Sequence, residues 1–256
     1  MRVGQVLGPS TLIGVAVLSC AAPSASADSI TIGASRNNTL IQDSLGALGS
    51  GGAQAIFAGV TAQGSGVDKR RALIQFDIAN SVPAGATITS VSLSLYCDRA
   101  SNSSSSTFEL HRLIADWGQG SSNRDNQGAM GAPAQSGDAT WTSRFFGTGQ
   151  NWTQPGGDFI AAASATRSQA GVGVYTWSST SLLIADVQGW LNNPSSNFGW
   201  LIKNNESSTR NARRFSGITW PEATQRPALT IVYTVPAPGA AVVMGLGGLI
   251  AMRRRR

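Results

Sequence analysis

The chain has 256 residues, with 19 Lys and Arg against 13 Asp and Glu and a single His. Arg2 and Arg253–Arg256 take five of those cations, which leaves fourteen against thirteen acids between Asp28 and Glu222. The central region is therefore close to neutral, and a nucleic-acid partner loses the basic surface such binding needs. One histidine, His111, excludes His-rich zinc sites and the His-Glu-x-x-His helix.

The first segment, Met1–Ala27, has a short charged start at Arg2 and an apolar stretch centred on Leu12–Leu18, and it closes on Ala25-Ser26-Ala27. That is the three-part layout of a secretory signal, with Ala25 and Ala27 at the small-x-small site of a signal peptidase. Val17-Leu18-Ser19-Cys20 also resembles a lipobox, so lipoprotein processing at Cys20 is the competing route. Cleavage after Ala27 leaves Cys97 with no partner for an internal disulfide. The roughly 210 residues that remain are enough to build a core without one.

Between 28 and 235 the chain is rich in Gly, Ser, Thr, Asn and Ala, with short β-branched and aromatic runs between turn clusters. That composition predicts many short strands and long polar loops. In chain order the candidate strands are Ser29–Ile32, Thr39–Gln42, Gln54–Val60, Ala72–Ile78, Ile88–Tyr96 and Thr107–Ile114, then Gly173–Trp177, Phe198–Lys203, Arg213–Gly217 and Ala228–Tyr233. In Ala72–Ile78 the alternation places Ile74, Phe76 and Ile78 on one buried face. In Ile88–Tyr96, Val91, Leu93 and Leu95 alternate with serines. Leu182–Leu191 reads as a strand or as helical turns, and Pro194 ends it. The long stretch Gly118–Ala170 holds Trp141, Phe145, Phe146 and Trp152, which predicts an ordered excursion over one sheet. The fold expected is all-β, one antiparallel β-sandwich of jelly-roll type.

The last segment runs from Pro236-Ala237-Pro238 through an apolar stretch, Ala240–Met252, to four arginines. Its apolar part is shorter than the roughly 20 residues that comfortably cross a bilayer, though arginines snorkel. A Gly-rich run followed at once by four cations makes a poor core helix. The arginine block would hold this tail on the cytoplasmic side, with residues 28–235 outside. The order of parts resembles the PEP-CTERM sorting signal read by exosortases, with Ala237 where that family usually has Glu. The resemblance implies Pro236, Ala237 and Pro238 as the sorting motif and an exosortase-like enzyme as partner. It also implies a short membrane helix present only until processing, and delivery to the cell envelope surface or extracellular matrix. The expected parts are thus 1–27, 28–235 and 236–256.

A second resemblance covers nearly all of 28–235. Arg71–Ile78, Val82-Pro83-Ala84-Gly85-Ala86-Thr87-Ile88 and Val91–Tyr96 are followed by Arg112…Asp116-Trp117, Val187-Gln188-Gly189-Trp190, Phe198–Lys203 and Arg226–Tyr233. In this order they look like the DNRLRE domain. That likeness implies a secreted β-sandwich similar to carbohydrate-binding modules.

The residues themselves show no catalytic machinery. No Gly-x-Ser-x-Gly and no P-loop occurs, and His111 sits in a strand beside Arg112 without a nucleophile turn. Thirteen acids leave many pairs for glycoside hydrolysis, and none is singled out. Lyase chemistry would draw on His111, Arg112 and one of Tyr96, Tyr175 or Tyr233. Indole stacks on the C–H face of a pyranose, so Trp141, Trp152, Trp117 and Trp220, in Gly/Asn/Ser-rich contexts, are the candidate glycan-stacking residues. Trp177, Trp190 and Trp200 read as core. Asn192-Asn193 and Asn204-Asn205 are candidate hydrogen-bonding pairs or turns. No cofactor is expected. Loop-ordering calcium would need oxygen donors such as Asp125, Asn126 or Asp158, with no EF-hand spacing to support it. The expectation is an exported, non-catalytic envelope or matrix protein that associates with polysaccharide. The alternatives are a structural surface protein with a protein partner, or a polysaccharide lyase or hydrolase.

Overall fold

A computed structural model describes residues 26–62, 68–124, 129–207 and 210–236. Cys20, Ala25, Asp125, Asn126, Ala237, Pro238 and the apolar tail lie outside the described residues. Among the described residues no helix is long and apolar enough to cross a membrane.

The strands are β1 (Ala27–Ile41), β2 (Leu48–Gly49), β3 (Ala55–Val60), β4 (Lys69–Phe76), β5 (Thr87–Ala100), β6 (Ser105–Arg112), β7 (Ala132–Pro133), β8 (Ser143–Phe145), β9 (Gln150–Asn151), β10 (Ala165–Ala170), β11 (Gly173–Trp177), β12 (Trp200–Asn204), β13 (Arg213–Ser216) and β14 (Ala228–Thr234). One helix, α1, spans Ser181–Asn192. Among the described residues these strands pair antiparallel throughout.

Ten strands form a continuous ladder that turns back on itself at β1 and β3. The first half of β1 pairs with β14, from Ala27 opposite Thr234 to Gly33 opposite Ala228. After a register shift at Ala34/Arg36, its second half pairs with β4, as expected where a bulge bends a strand from one layer to the next. Likewise β3 gives Ala55–Ala58 to β13 and Gly59–Val60 to β4. The result is sandwich-like: β14, β5, β11 and β13 make one layer, and β4, β12, β6 and β10 the other.

The core between the layers follows from period-two alternation. Val91, Leu93, Leu95, Leu229, Ile231, Phe215, Tyr175 and Trp177 come from one side, and Ala72, Ile74, Phe76, Phe108, Leu110, Trp200 and Ile202 from the other. Helix α1 adds Leu183, Val187, Trp190 and Leu191, with Trp190 edge-on to Trp200 at 4.6 Å. The ambiguous Leu182–Leu191 is thus helical. Thr180 caps it, its hydroxyl accepting from the Leu183 amide at 3.0 Å.

The two outer faces differ. Outside β5 and its neighbours the residues are mostly small and hydroxylated, as in the Thr31–Thr230 and Ser94–Thr176 contacts. Outside β4 and β12 a second apolar layer lies on the sheet. Leu73 pairs with Leu201, which pairs with His111, and this row packs with Leu40 and Leu113 under Trp117, Trp141 and Trp152. The predicted excursion is present, and it covers this face. Asp138, fully buried, holds it by accepting from the amides of Ser121 (2.7 Å), Ser122 (3.3 Å) and Gln135 (2.7 Å). At Gly120 (φ +70°) a Cβ would lie 1.4 Å from the same carboxylate, so only glycine fits.

Two arginines rise from the sheet on either side of that row. Arg36 places its guanidinium 4.4 Å from the Trp117 ring centre and bonds Gln75, Asp116 and the Trp117 carbonyl. Arg71 lies 4.8 Å from the Trp141 ring and donates to the Gly156 carbonyl and to both carboxylate oxygens of Glu206 at 2.7 and 2.8 Å. Cation–π contact and charge-assisted hydrogen bonds thus join sheet, excursion and the loop after β12.

Candidate functional site

The indoles do not form a stacking platform. Trp117, Trp141 and Trp152 are buried, and the faces of Trp117 and Trp141 carry the guanidinium groups of Arg36 and Arg71. Their ring nitrogens are also satisfied internally, Trp117 Nε1 by the Phe198 carbonyl and Trp152 Nε1 by the Thr140 carbonyl. The expectation that they offer a sugar a flat exposed face is therefore corrected: each fills the second apolar layer. Trp220 is half-buried, with Arg214 5.6 Å from its ring centre and its Nε1 donating to Gln225. It stands alone as an accessible indole.

His111 is structural. It is buried, with Nδ1 at 3.0 Å from the Ile160 carbonyl, Nε2 at 3.2 Å from Glu109 and its ring 5.0 Å from Phe159. Asp158 accepts from the amides of Thr153 and Gln154 and so closes a turn. Among the described residues no group of His, Cys, Asp and Glu is placed to hold a metal ion. Asn192 and Asn193 sit at the end of α1, where Asn192 accepts from Gln188 and Asn193 from Ser195.

Asn204 and Asn205 have a different setting. At one rim of the sandwich β5 ends, β6 begins, β12 ends and β13 begins. Register brings these ends together, with Asn204 opposite Phe108 and Arg213 opposite Ala100. Between them is a cleft of about 390 Å³ lined by Asn102, Ser104, Ser105, Ser106, Thr107, Asn204, Asn205 and Asn211. Every lining residue is a neutral amide or hydroxyl.

The amides of the wall bond mostly within the chain, and Asn102 also donates its NH₂ to the Arg210 carbonyl at 2.5 Å. Each side-chain carbonyl is committed within the chain. Asn204 accepts from the Glu206 amide at 3.0 Å, Asn205 from Ser207 at 3.3 Å, Asn211 from Val60 at 2.8 Å and Asn102 from Arg213 at 3.4 Å. The Asn204 side-chain NH₂ has no partner, although Asn204 is only 1% exposed. A buried donor left unpaired costs about 1–3 kcal/mol.

Arg213 builds the cleft from beneath. Its fully buried guanidinium donates to Tyr175 Oη (2.9 Å), to the carbonyls of Asn211 (3.1 Å), Ala212 (3.3 Å) and Ser104 (2.7 Å), and to Asn102. It therefore ties the Asn102–Ser104 wall to the Asn211 wall. All these partners are neutral. Burial raises the Tyr175 hydroxyl above its ordinary value even against the opposing pull of Arg213, so the phenol stays protonated. On the other side of Arg213 lies a smaller hollow of about 230 Å³ with Arg99, Arg214, Phe57 and Met130 in its wall.

The opposite wall is held by Glu206. This residue takes a left-handed backbone, φ 56°, uncommon outside glycine. Its carboxylate is fixed by Arg71, with Lys69 at 3.7 Å. Burial alone would raise its carboxyl. The hydrogen bond and charge of Arg71, with Lys203 and Lys69, outweigh burial and hold it below the usual range.

The fold and the rim cleft together define an all-β, sandwich-like domain with a polar opening dressed with amides and hydroxyls. The chain matches no known family model and no curated protein. Asn204 and Asn205 were visible as candidates in sequence, whereas Asn102, the serines, Asn211 and Arg213 were not.

Proposed function

We propose that this chain is an exported, non-catalytic β-sandwich of jelly-roll type that associates with polysaccharide at the cell envelope or in the extracellular matrix, using the amide cleft as its binding site. The observation that carries the binding reading is a cleft of about 390 Å³ whose wall is made wholly of amides and hydroxyls. Sugar hydroxyl and ring oxygens accept hydrogen bonds, and amide and hydroxyl side chains are their natural counterparts. Export rests on the layout of the two termini. Ala27 pairs with Thr234 at the end of the β1–β14 ladder, so cleavage after Ala27 and loss of the segment from Pro236 onward remove only that last pair and leave the ladder from Asp28–Tyr233 to Gly33–Ala228. The likenesses to the DNRLRE domain and to the PEP-CTERM tail agree with the same destination and role, with signal peptidase and an exosortase-like enzyme as processing partners.

The test is affinity electrophoresis of the chain through gels carrying a neutral glucan, a mannan or a polyuronate. Retardation in at least one gel is expected, and Asn205→Ala, an exposed position, weakens it without altering the melting temperature. Unretarded migration in all three gels, or retardation that Asn205→Ala and Asn204→Ala leave untouched, refutes this role for the cleft. Release of sugar fragments on incubation with these polymers would instead favour a lyase or hydrolase.

A further inference from the structure

We infer that the hollow on the far side of Arg213 is a binding site for a tetrahedral oxyanion, a sulfate or phosphate ester, with Arg99 as its main contact. This goes beyond the amide cleft and does not depend on it.

Charge is the first argument. Arg99, Arg213 and Arg214 all stand in the wall of one hollow of about 230 Å³, although residues 28–235 as a whole are close to neutral. Register sets Arg99 opposite Arg214, and Arg214 opposite Phe57, in one row across β5, β13 and β3. Like charges directly opposite on neighbouring strands repel. Asp98 answers only one of them, its carboxylate gripped by Nε and Nη2 of Arg214. Arg213, 0% exposed, spends its N–H groups on Tyr175, Asn102 and three backbone carbonyls, all neutral. It touches nothing that enters, but its charge lies behind the wall without a carboxylate partner, which favours an anion in front of it. Asp68, which accepts from Thr61 in the same wall, faces Arg70.

The free donors are the second argument. Among the described residues the exposed Arg99 side chain makes no hydrogen bond or ion pair. Arg214, 13% exposed, keeps Nη1 unengaged, and the Ser101 hydroxyl in the same wall is exposed. These are donors on three separate side chains. A flat carboxylate is best met by one in-plane fork, and the fork of Arg214 is already filled by Asp98. Separate donors suit the three outer oxygens of a sulfate or phosphate ester. The rest of the wall is Phe57, Ala129, Met130 and Ala212, apolar surface that suits the carbon body bearing the ester. The volume lies below the roughly 300–1,000 Å³ typical of small-ligand pockets, room for a substituent and part of one ring.

The experiment titrates the chain calorimetrically with inorganic sulfate and inorganic phosphate, against chloride at equal ionic strength. Gels carrying dextran, dextran sulfate, phosphorylated dextran or carboxymethyl-dextran follow. One backbone with four states of substitution separates ester from sugar, and the sulfate and phosphate arms separate the two sources. Saturable binding of at least one of the two anions is expected, with the matching ester retarding the chain more strongly than carboxymethyl-dextran. Arg99→Ala lowers both effects about fivefold to tenfold, the worth of one charge-assisted contact at an exposed position, and leaves the melting temperature unchanged. Arg144→Ala removes the same charge from β8, in the excursion over the other layer, and leaves both effects as they were. No saturable binding of either anion, equal retardation by carboxymethyl-dextran, or equal losses in the two variants overturns this site. None of those results bears on the amide cleft, which is tested separately by Asn205→Ala.

Discussion

Leu73→Ala tests whether the excursion over β4 and β12 is a true second core. In a sandwich with one buried face per sheet, Leu73 would point to water, because Ile74 and Phe76 already claim the inner side, and its truncation would be nearly neutral. In this structure Leu73 is 0% exposed, packed with Leu40, Leu113 and Leu201 under Trp117, Trp141 and Trp152. Removing a buried leucine side chain costs the transfer free energy plus the cavity, typically 2–5 kcal/mol. The rigid indoles above and the paired strand beneath limit collapse, so about 3 kcal/mol is expected. For a domain of this size that lowers the melting temperature by roughly 6–12 °C. Urea unfolding followed by tryptophan fluorescence would show a lower midpoint with unchanged slope. Ser92→Ala, in the outer face of β5, serves as control and should shift stability by less than about 0.5 kcal/mol. A Leu73→Ala effect as small as the control's would refute the second core and free the tryptophans for another role.

Two further outcomes follow from charge and burial. Glu206 has a folded carboxyl held below the ordinary range, so its contribution is complete above the unfolded-state pKa, about 4.3. That contribution is lost as pH falls through the lower folded value. Asp186 has the opposite sign: burial raises its carboxyl against the hydrogen bonds of Ser164 and Trp200 and the charge of Arg112. Stability from that site therefore falls as pH rises from the unfolded value through the raised one. Urea midpoints between about pH 3 and 7 should show a shallower acid limb in Glu206→Gln and a steeper one in Asp186→Asn; identical profiles for both variants and the parent would contradict these assignments. Cys97 is 0% exposed, and burial raises its thiol to about 11 despite the pull of Arg213. A thiol reagent near neutral pH should leave Cys97 unlabelled in the native chain and react with it fully in denaturant, whereas prompt native labelling of Cys97 would show that β5 opens there.

Much of the inner core was legible because it obeys the simplest rule. In β5 the apolar residues Val91, Leu93 and Leu95 alternate with serines, and in β11 the strand bounds Gly173–Trp177 agree with those expected from sequence. The strand Ala165–Ala170 was missed because Ala-Thr-Arg-Ser-Gln-Ala has almost no apolar side chain to mark a face. It pairs only with β6, at the edge. Trp117, Trp141 and Trp152 were misread for the converse reason. Glycine, serine and asparagine around an indole usually mean an exposed loop, yet here the small residues let the excursion lie close to the sheet, as Gly120 does against Asp138.

The arginines mark the deeper limit. A guanidinium reads as surface in any composition argument, but Arg36, Arg71 and Arg213 each bridge segments far apart in sequence. Arg213 reaches Ser104 and Asn102 more than a hundred positions upstream. Nothing local in Asn-Ala-Arg-Arg-Phe announces that partnership. It exists because β13 pairs with the end of β5 and β12 pairs with the start of β6, pairings that a single sequence does not specify. The cleft inherits the same property. Its amides come from the end of β12 and from two inter-strand connections that only the finished ladder brings together.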